Sequence, residues 1–159
     1  MSNMREDYIM RMIQMIGEVI LAALKLRKTG HLIEADQTLS DALFTIMPDH
    51  ADLIDMVDEK TAVGLLGNAH LVEVYVELLL ERAEIKFALD APDKAEQLQA
   101  RALRVFIISI HHEPSLSPRG YLIWGRLTGL ELRLLLSESE YGDWLNIQKI
   151  LESNPIHSP

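Results

Sequence analysis

Glu73, Glu77, Glu81 and Glu84 follow one another at steps of four, four and three, which gathers four carboxylates on one face of a helix. A di-metal carboxylate centre is the chemistry that such a face could do. That centre also needs Glu-x-x-His pairs on facing helices, and His31, His50, His70, His111, His112 and His157 are not placed to supply them. The four residues therefore read as a solvated or salt-bridged face. His111, His112 and Glu113 form the only histidine cluster. Adjacent rings on a helix point in different directions, so their expected place is a helix end, where imidazolium is favoured by the last carbonyls.

A third constellation is basic. Arg119, Arg126 and Arg133 recur every seven residues, a positive stripe able to pair with the glutamates within the fold, to pair across a dimer, or to receive an acidic partner. No G-x-S-x-G, Walker loop, dinucleotide glycine pattern or H-E-x-x-H is present. The absence of cysteine removes thiolate nucleophiles, iron-sulfur clusters and disulfides, and favours a cytoplasmic location. The expectation is a protein that is not an enzyme, with no catalytic residue, metal or cofactor. Trp124, Trp144 and the tyrosines at 8, 75, 121 and 141 are of the type that lines a ligand pocket, but large aromatics at helical spacing are usually core.

The elements that position these residues are helical throughout. The chain has 159 residues, 48% of them hydrophobic, with 8 Gly and 6 Pro, which fits one helical domain over 1–159. Its net charge of −9 works against nucleic-acid binding, which demands clustered cations. The apolar run from Tyr8 to Leu26 is interrupted by Arg11, Gln14, Glu18 and Lys25, so neither a membrane span nor a signal peptide is expected.

The spacing predicts about seven helices in antiparallel pairs. The first begins at an Asn3–Glu6 capping box and closes at Gly30; its polar stripe of Asp7, Arg11, Gln14, Glu18, Lys25 and Lys28 is narrow, which predicts burial on more than one side. The second covers 31–47 and stops at Pro48. A third segment over 51–66, with glycines at 64 and 67, reads as a short helix followed by a loop or a further turn. Asn68 caps a fourth over 69–89, Pro92 opens a fifth to about Ile110, Ser117-Pro118 opens a sixth over 118–136, and Ser137 with Glu140 opens the seventh. The tail 154–159 is expected to fray.

Residues 23–48 resemble a tetratricopeptide repeat: Ala23, then Gly30 at the turn, then Ala35, Leu39 and Ala42, with Pro48 one residue late. A second echo runs through Ala83, Asp90, Ala95, Ala102 and Leu103, 60 residues on, against a repeat period of about 34. Asp7 to Ile13, followed by this pair, is also similar to the start of a family of uncharacterised bacterial all-helical proteins, over residues 1–45 and in outline beyond. The resemblance implies a tetratricopeptide-like α-α superhelix or bundle without an assigned activity. Peptide-binding members carry polar clamp residues where this chain has Gly17, Ile20, Leu21 and Leu24, so that clamp is missing.

These readings lead to a protein that acts through protein contacts, with self-association as a homodimer. The expected surface comprises Met12, Ile16, Ile20 and Leu24 of the first helix, the stripe Arg119, Arg126 and Arg133, and the stripe Glu73, Glu77 and Glu81. The alternative is a helical-bundle pocket for an apolar small molecule or acyl chain, enclosed by the first, fourth and sixth predicted helices.

Overall fold

A computed structural model describes residues 2–153, and every regular element among them is an α-helix. In chain order these are α1 (Ser2–Lys28), α2 (Leu32–Ile46), α3 (Ala51–Ile54), α4 (Glu59–Leu66), α5 (Ala69–Ala88), α6 (Pro92–His112), α7 (Pro118–Thr128), α8 (Leu132–Leu135) and α9 (Glu138–Ser153). His157 and the expected fraying of 154–159 lie outside the described residues.

Nine helices among the described residues replace the expected seven: the third segment, expected as a short helix followed by a loop or a further turn, holds two helices, and the sixth predicted helix is broken in two. The segment 51–66 breaks at Asp58, whose carboxylate accepts the Thr61 N–H at 2.8 Å and the Thr61 hydroxyl at 2.9 Å, and so starts a new helix. The segment 118–136 breaks at Gly129 and Leu130, where the chain turns before α8. The expected cap at Asn3 is also corrected, since α1 already includes Ser2. Other signals are met. Asn68 accepts the His70 N–H at 2.8 Å, Pro92 stands in the first turn of α6, and Ser137 and Glu140 bond reciprocally at 2.8 and 3.2 Å.

The two tetratricopeptide-like segments form the same turn twice. After α1, Gly30 N–H bonds Arg27 O and His31 N–H bonds Leu26 O; after α5, Asp90 N–H bonds Phe87 O and Ala91 N–H bonds Lys86 O. Both are Schellman turns with a left-handed residue at the corner, φ +83° at Gly30 and +58° at Asp90. Beyond each turn the small residues are buried, Ala35 and Ala42 in α2, Ala95 and Ala102 in α6, opposite Ala23 and Ala83. Small side chains at these positions let each antiparallel pair pack closely.

Asp90 bears a steric cost that Gly30 avoids. Exchanging the two residue types should therefore have opposite effects: Asp90→Gly is expected to raise stability by about 0.5 kcal/mol and Gly30→Asp to lower it by about 1 kcal/mol. Urea titration checks both; a loss on Asp90→Gly sinks the account.

The closest packing joins α5 to α6 and α1 to α2, and α5 also lies against α1, α2 and α7. Helix α5 is accordingly the central element, with Val74, Tyr75, Val76, Leu78 and Leu79 all buried. The inserted α4 packs on α6, as do α8 and α9, with Arg104 of α6 pairing both Glu59 of α4 and Glu140 of α9. Among the described residues no helix is long and apolar enough to cross a membrane.

Candidate functional site

The acidic stripe lies on the face of α5 that meets α7, and the basic stripe of α7 meets it there. Arg119 Nε stands 3.1 Å from Glu77, Arg126 donates across 2.8 Å to Glu81 and lies 3.6 Å from Glu84, and Arg27 of α1 also contacts Glu84. Since both sets of residues advance in the same chain direction, α5 and α7 run parallel. Arg27 near Glu84, with Met10 and Ile13 near His70 and Glu73, gives α1 the same direction. The pairing that the sequence left open between one chain and two is thus made inside one chain.

Arg133 is a correction. The break at Gly129 places it on α8, where its guanidinium sits 4.5 Å from the centre of the Tyr141 ring, away from the glutamates.

Glu73 has a different task. Its carboxylate is only 6% exposed and accepts both the Ser117 N–H, at 3.2 Å, and the Ser117 hydroxyl, while the same Ser117 oxygen accepts the Gly120 N–H. A negative charge is thereby fixed at the N-terminus of α7, where the helix dipole favours it. This residue anchors α7 on α5. All four glutamates are engaged with cations or backbone, and among the described residues no group of three or more His, Asp and Glu is arranged to hold a metal ion.

Glu77 lies largely covered between Arg119 and the rest of the stripe. Burial pushes its carboxyl above the ordinary 4.5, against the pull of Arg119 and Arg126. The neutral form is thus favoured more in the fold than in the unfolded chain. Its contribution to stability is fully present below about 4.5 and is lost as pH rises through the higher folded-state value. Glu77→Gln should remove that slope, so its stability relative to the native chain should grow from pH 4.5 upward and then level off. Denaturation curves at stepped pH that run parallel for the two proteins would contradict this.

The expected apolar surface of α1 must be reassigned. Met12, Ile16 and Ile20 are buried against the rest of the chain, Ile16 completely, and Leu24 is half-buried. They belong to the core. Helix α1 is covered on one side only, not several, and its uncovered flank carries Met4 (77% exposed), Tyr8 (58%) and Met15 (51%), while Met10 and Leu21 are exposed along its other edge, toward the groove that Met10 shares with α7. Periodicity shows that a helix has two apolar faces but not which one its neighbours cover.

The space enclosed by α1, α5 and α7 is a solvent-open groove of about 390 Å³. Met10, Ile13 and Gly17 line one side, Pro118 and Arg119 the other, with His70 and Glu73 at its base. Arg119 crosses close to α1, since a Cβ at Gly17 would stand 3.4 Å from its guanidinium. His111 and His112 are exposed in the last turn of α6, as their position before Glu113-Pro114 predicts.

One cluster escaped the sequence reading. Arg82 and Lys86, four apart on α5, converge with Lys94 and Arg101, seven apart on α6, on a cleft beside Asp55. Each pair alone has helical spacing, but only the hairpin at Asp90 brings the two pairs together. No family model, curated protein or solved structure matches the chain.

Proposed function

We propose that this is a non-enzymatic, tetratricopeptide-like helical protein of the cytoplasm that acts through protein contacts, beginning with a second copy of itself. The observation that carries this reading is the outer flank of α1. Met4, Tyr8, Arg11, Met15, Glu18, Ala22 and Lys25 follow at alternating steps of four and three, and every one of them is exposed. That is the spacing of a helix-pairing seam.

The seam is self-complementary. In an antiparallel pairing of two α1 helices with the two-fold axis near Met15, Arg11 of each copy faces Glu18 of the other, and Met15 meets Met15. Such a pairing uses the same surface on both subunits, as a closed dimer requires. With 27 residues, α1 offers a seam on the order of 40 Å long. The tetratricopeptide-like part of the reading is supported by the duplicated turns, the buried alanines and the shared direction of α1, α5 and α7. The net charge of −9 supports a protein partner over nucleic acid.

Light scattering and sedimentation over a concentration series test the proposal. The native chain should approach twice its 18.0 kDa mass, Arg11→Glu and Glu18→Arg should each weaken association at least about tenfold, and the double exchange should restore it. A monomer at all concentrations, or a double variant no better than the singles, overturns it. The apolar-ligand reading retains one observation, the groove between α1, α5 and α7; a copurifying molecule in native mass spectrometry that is lost with Gly17→Leu would favour that reading.

A further inference from the structure

The cleft between the C-terminal half of α5 and the N-terminal half of α6 encloses about 420 Å³, a size typical of small-molecule sites. Arg82, Lys86, Lys94 and Arg101 line it, so 4 of the chain's 15 Lys and Arg face one space in a protein of net charge −9. Asp55 is the only acid in that lining, and Asp36 stands behind it. Four positive charges against two negative ones leave an excess of two.

The acids are already committed. Asp36 accepts from Lys86 at 2.8 Å and lies 3.8 Å from Arg82; Asp55 accepts the Tyr75 hydroxyl at 2.7 Å and an Arg82 N–H at 3.2 Å. Arg101 directs its hydrogen bonds to neutral acceptors, the Tyr75 oxygen at 3.0 Å and the Ile54 carbonyl, so its positive charge has no direct acidic partner. Burial holds the Tyr75 proton far beyond the ordinary range, which keeps that hydroxyl a donor to Asp55. Lys94 and Gln97 have no side-chain partner among the described residues. Arg82 Nε is buried with no hydrogen bond.

We propose that this cleft binds a small phosphomonoester. A dianion matches the excess of two charges, and a tetrahedral phosphate accepts from several directions at once, which suits donors arriving from two helices. Two of the cations are held in place before any ligand arrives, Arg82 by Asp36 and Asp55 and Arg101 by Tyr75 and Ile54, so little side-chain freedom is lost on binding. Leu98 gives the organic part of the ligand an apolar wall. A dicarboxylate has the same charge but divides it between two ends, which this single convergence of donors fits less well.

The full-length chain is titrated with inorganic phosphate, glycerol phosphate and succinate at fixed ionic strength, read by amide chemical shifts and thermal stability. Phosphate and glycerol phosphate should bind in the same place, shift amides around residues 82–101, and raise the melting temperature, with succinate much weaker. Lys94→Glu changes an exposed residue without a partner, so it should leave the unliganded melting temperature alone and lower phosphate affinity at least tenfold. Equal binding of succinate, an affinity unchanged by Lys94→Glu, or no shift confined to this cleft overturns the assignment. Self-association through α1 is read separately, since none of these residues lies on that helix.

Discussion

Trp144→Ala is expected to lose about 3 to 5 kcal/mol, the largest single-residue effect in the chain. Its indole is 1% exposed and lies 6.1 Å, centre to centre, from the Phe106 ring at a tilt of 42°. With Ile147 and Leu151, three and seven residues on, it forms the buried seam by which α9 covers α6. Removal leaves a cavity that α6, pinned by α5 on its other side, cannot collapse to fill. For a domain of this size the loss corresponds to a fall in melting temperature of roughly 8 to 16 °C. Urea denaturation should show an earlier midpoint with an unchanged slope, and Trp144→Phe should lose only about 1 to 2 kcal/mol. Because α9 is remote from the outer flank of α1, the folded fraction should keep its association behaviour. A loss below about 1 kcal/mol would mean that α9 is not part of the cooperative core.

The second large effect concerns two glycines of one helix. A Cβ at Gly120 would stand 2.5 Å from a Glu73 carboxylate oxygen and 2.9 Å from a Leu116 methyl, whereas a Cβ at Gly125 meets nothing within 4 Å. Side-chain ends can often move aside, but the Glu73 oxygens are occupied by the Ser117 N–H and hydroxyl, so any retreat gives up the anchor of α7. Gly120→Ala is therefore expected to cost about 2 to 3 kcal/mol, despite a helix-propensity gain of about 1 kcal/mol. At Gly125 only the propensity gain applies, and Ala should stabilise by about 0.5 to 1 kcal/mol. In a double-mutant cycle, Glu73→Ala should relieve most of the Gly120→Ala cost. Two alanines that behave alike would show that the Glu73–Gly120 contact is not restrictive.

Local signals carried the element boundaries well wherever one side chain closes a bond within three or four residues. Asn68, Ser117 and the Ser137–Glu140 box each act on the backbone beside them, and each is found where its residue type predicts. The two breaks that make nine helices out of seven also carry local signals. Asp58 with Thr61 has a capping spacing, and Gly129 follows directly on the last residue of α7, although its φ of −82° is right-handed, unlike the left-handed Gly30. The turn at Asp90 was harder, because a left-handed aspartate imitates glycine only when the hairpin around it demands the geometry.

Faces were less legible than boundaries. A period of 3.6 states that Met12, Ile16 and Ile20 share one side of α1 and that Met4, Tyr8 and Met15 share another, but burial depends on where α2 and α5 come to rest. The same holds for charge. Composition showed a seven-residue rhythm in Arg119, Arg126 and Arg133, yet only the turn at Gly129 separates Arg133 from the glutamates that Arg119 and Arg126 meet.

By itself, the sequence determined that the chain is all-helical, where most helices start and stop, and that two small-residue hairpins repeat at an offset of 60. Those properties arise from interactions within a few residues, or from a pattern repeated along the chain. Tertiary structure alone decided that Arg119 and Arg126 meet the acidic stripe inside one chain, that α1 leaves Met4, Tyr8 and Met15 exposed, and that four cations converge beside Asp55. Each of these depends on the distance between residues far apart in the chain, which helical period does not encode and which packing of the whole core sets.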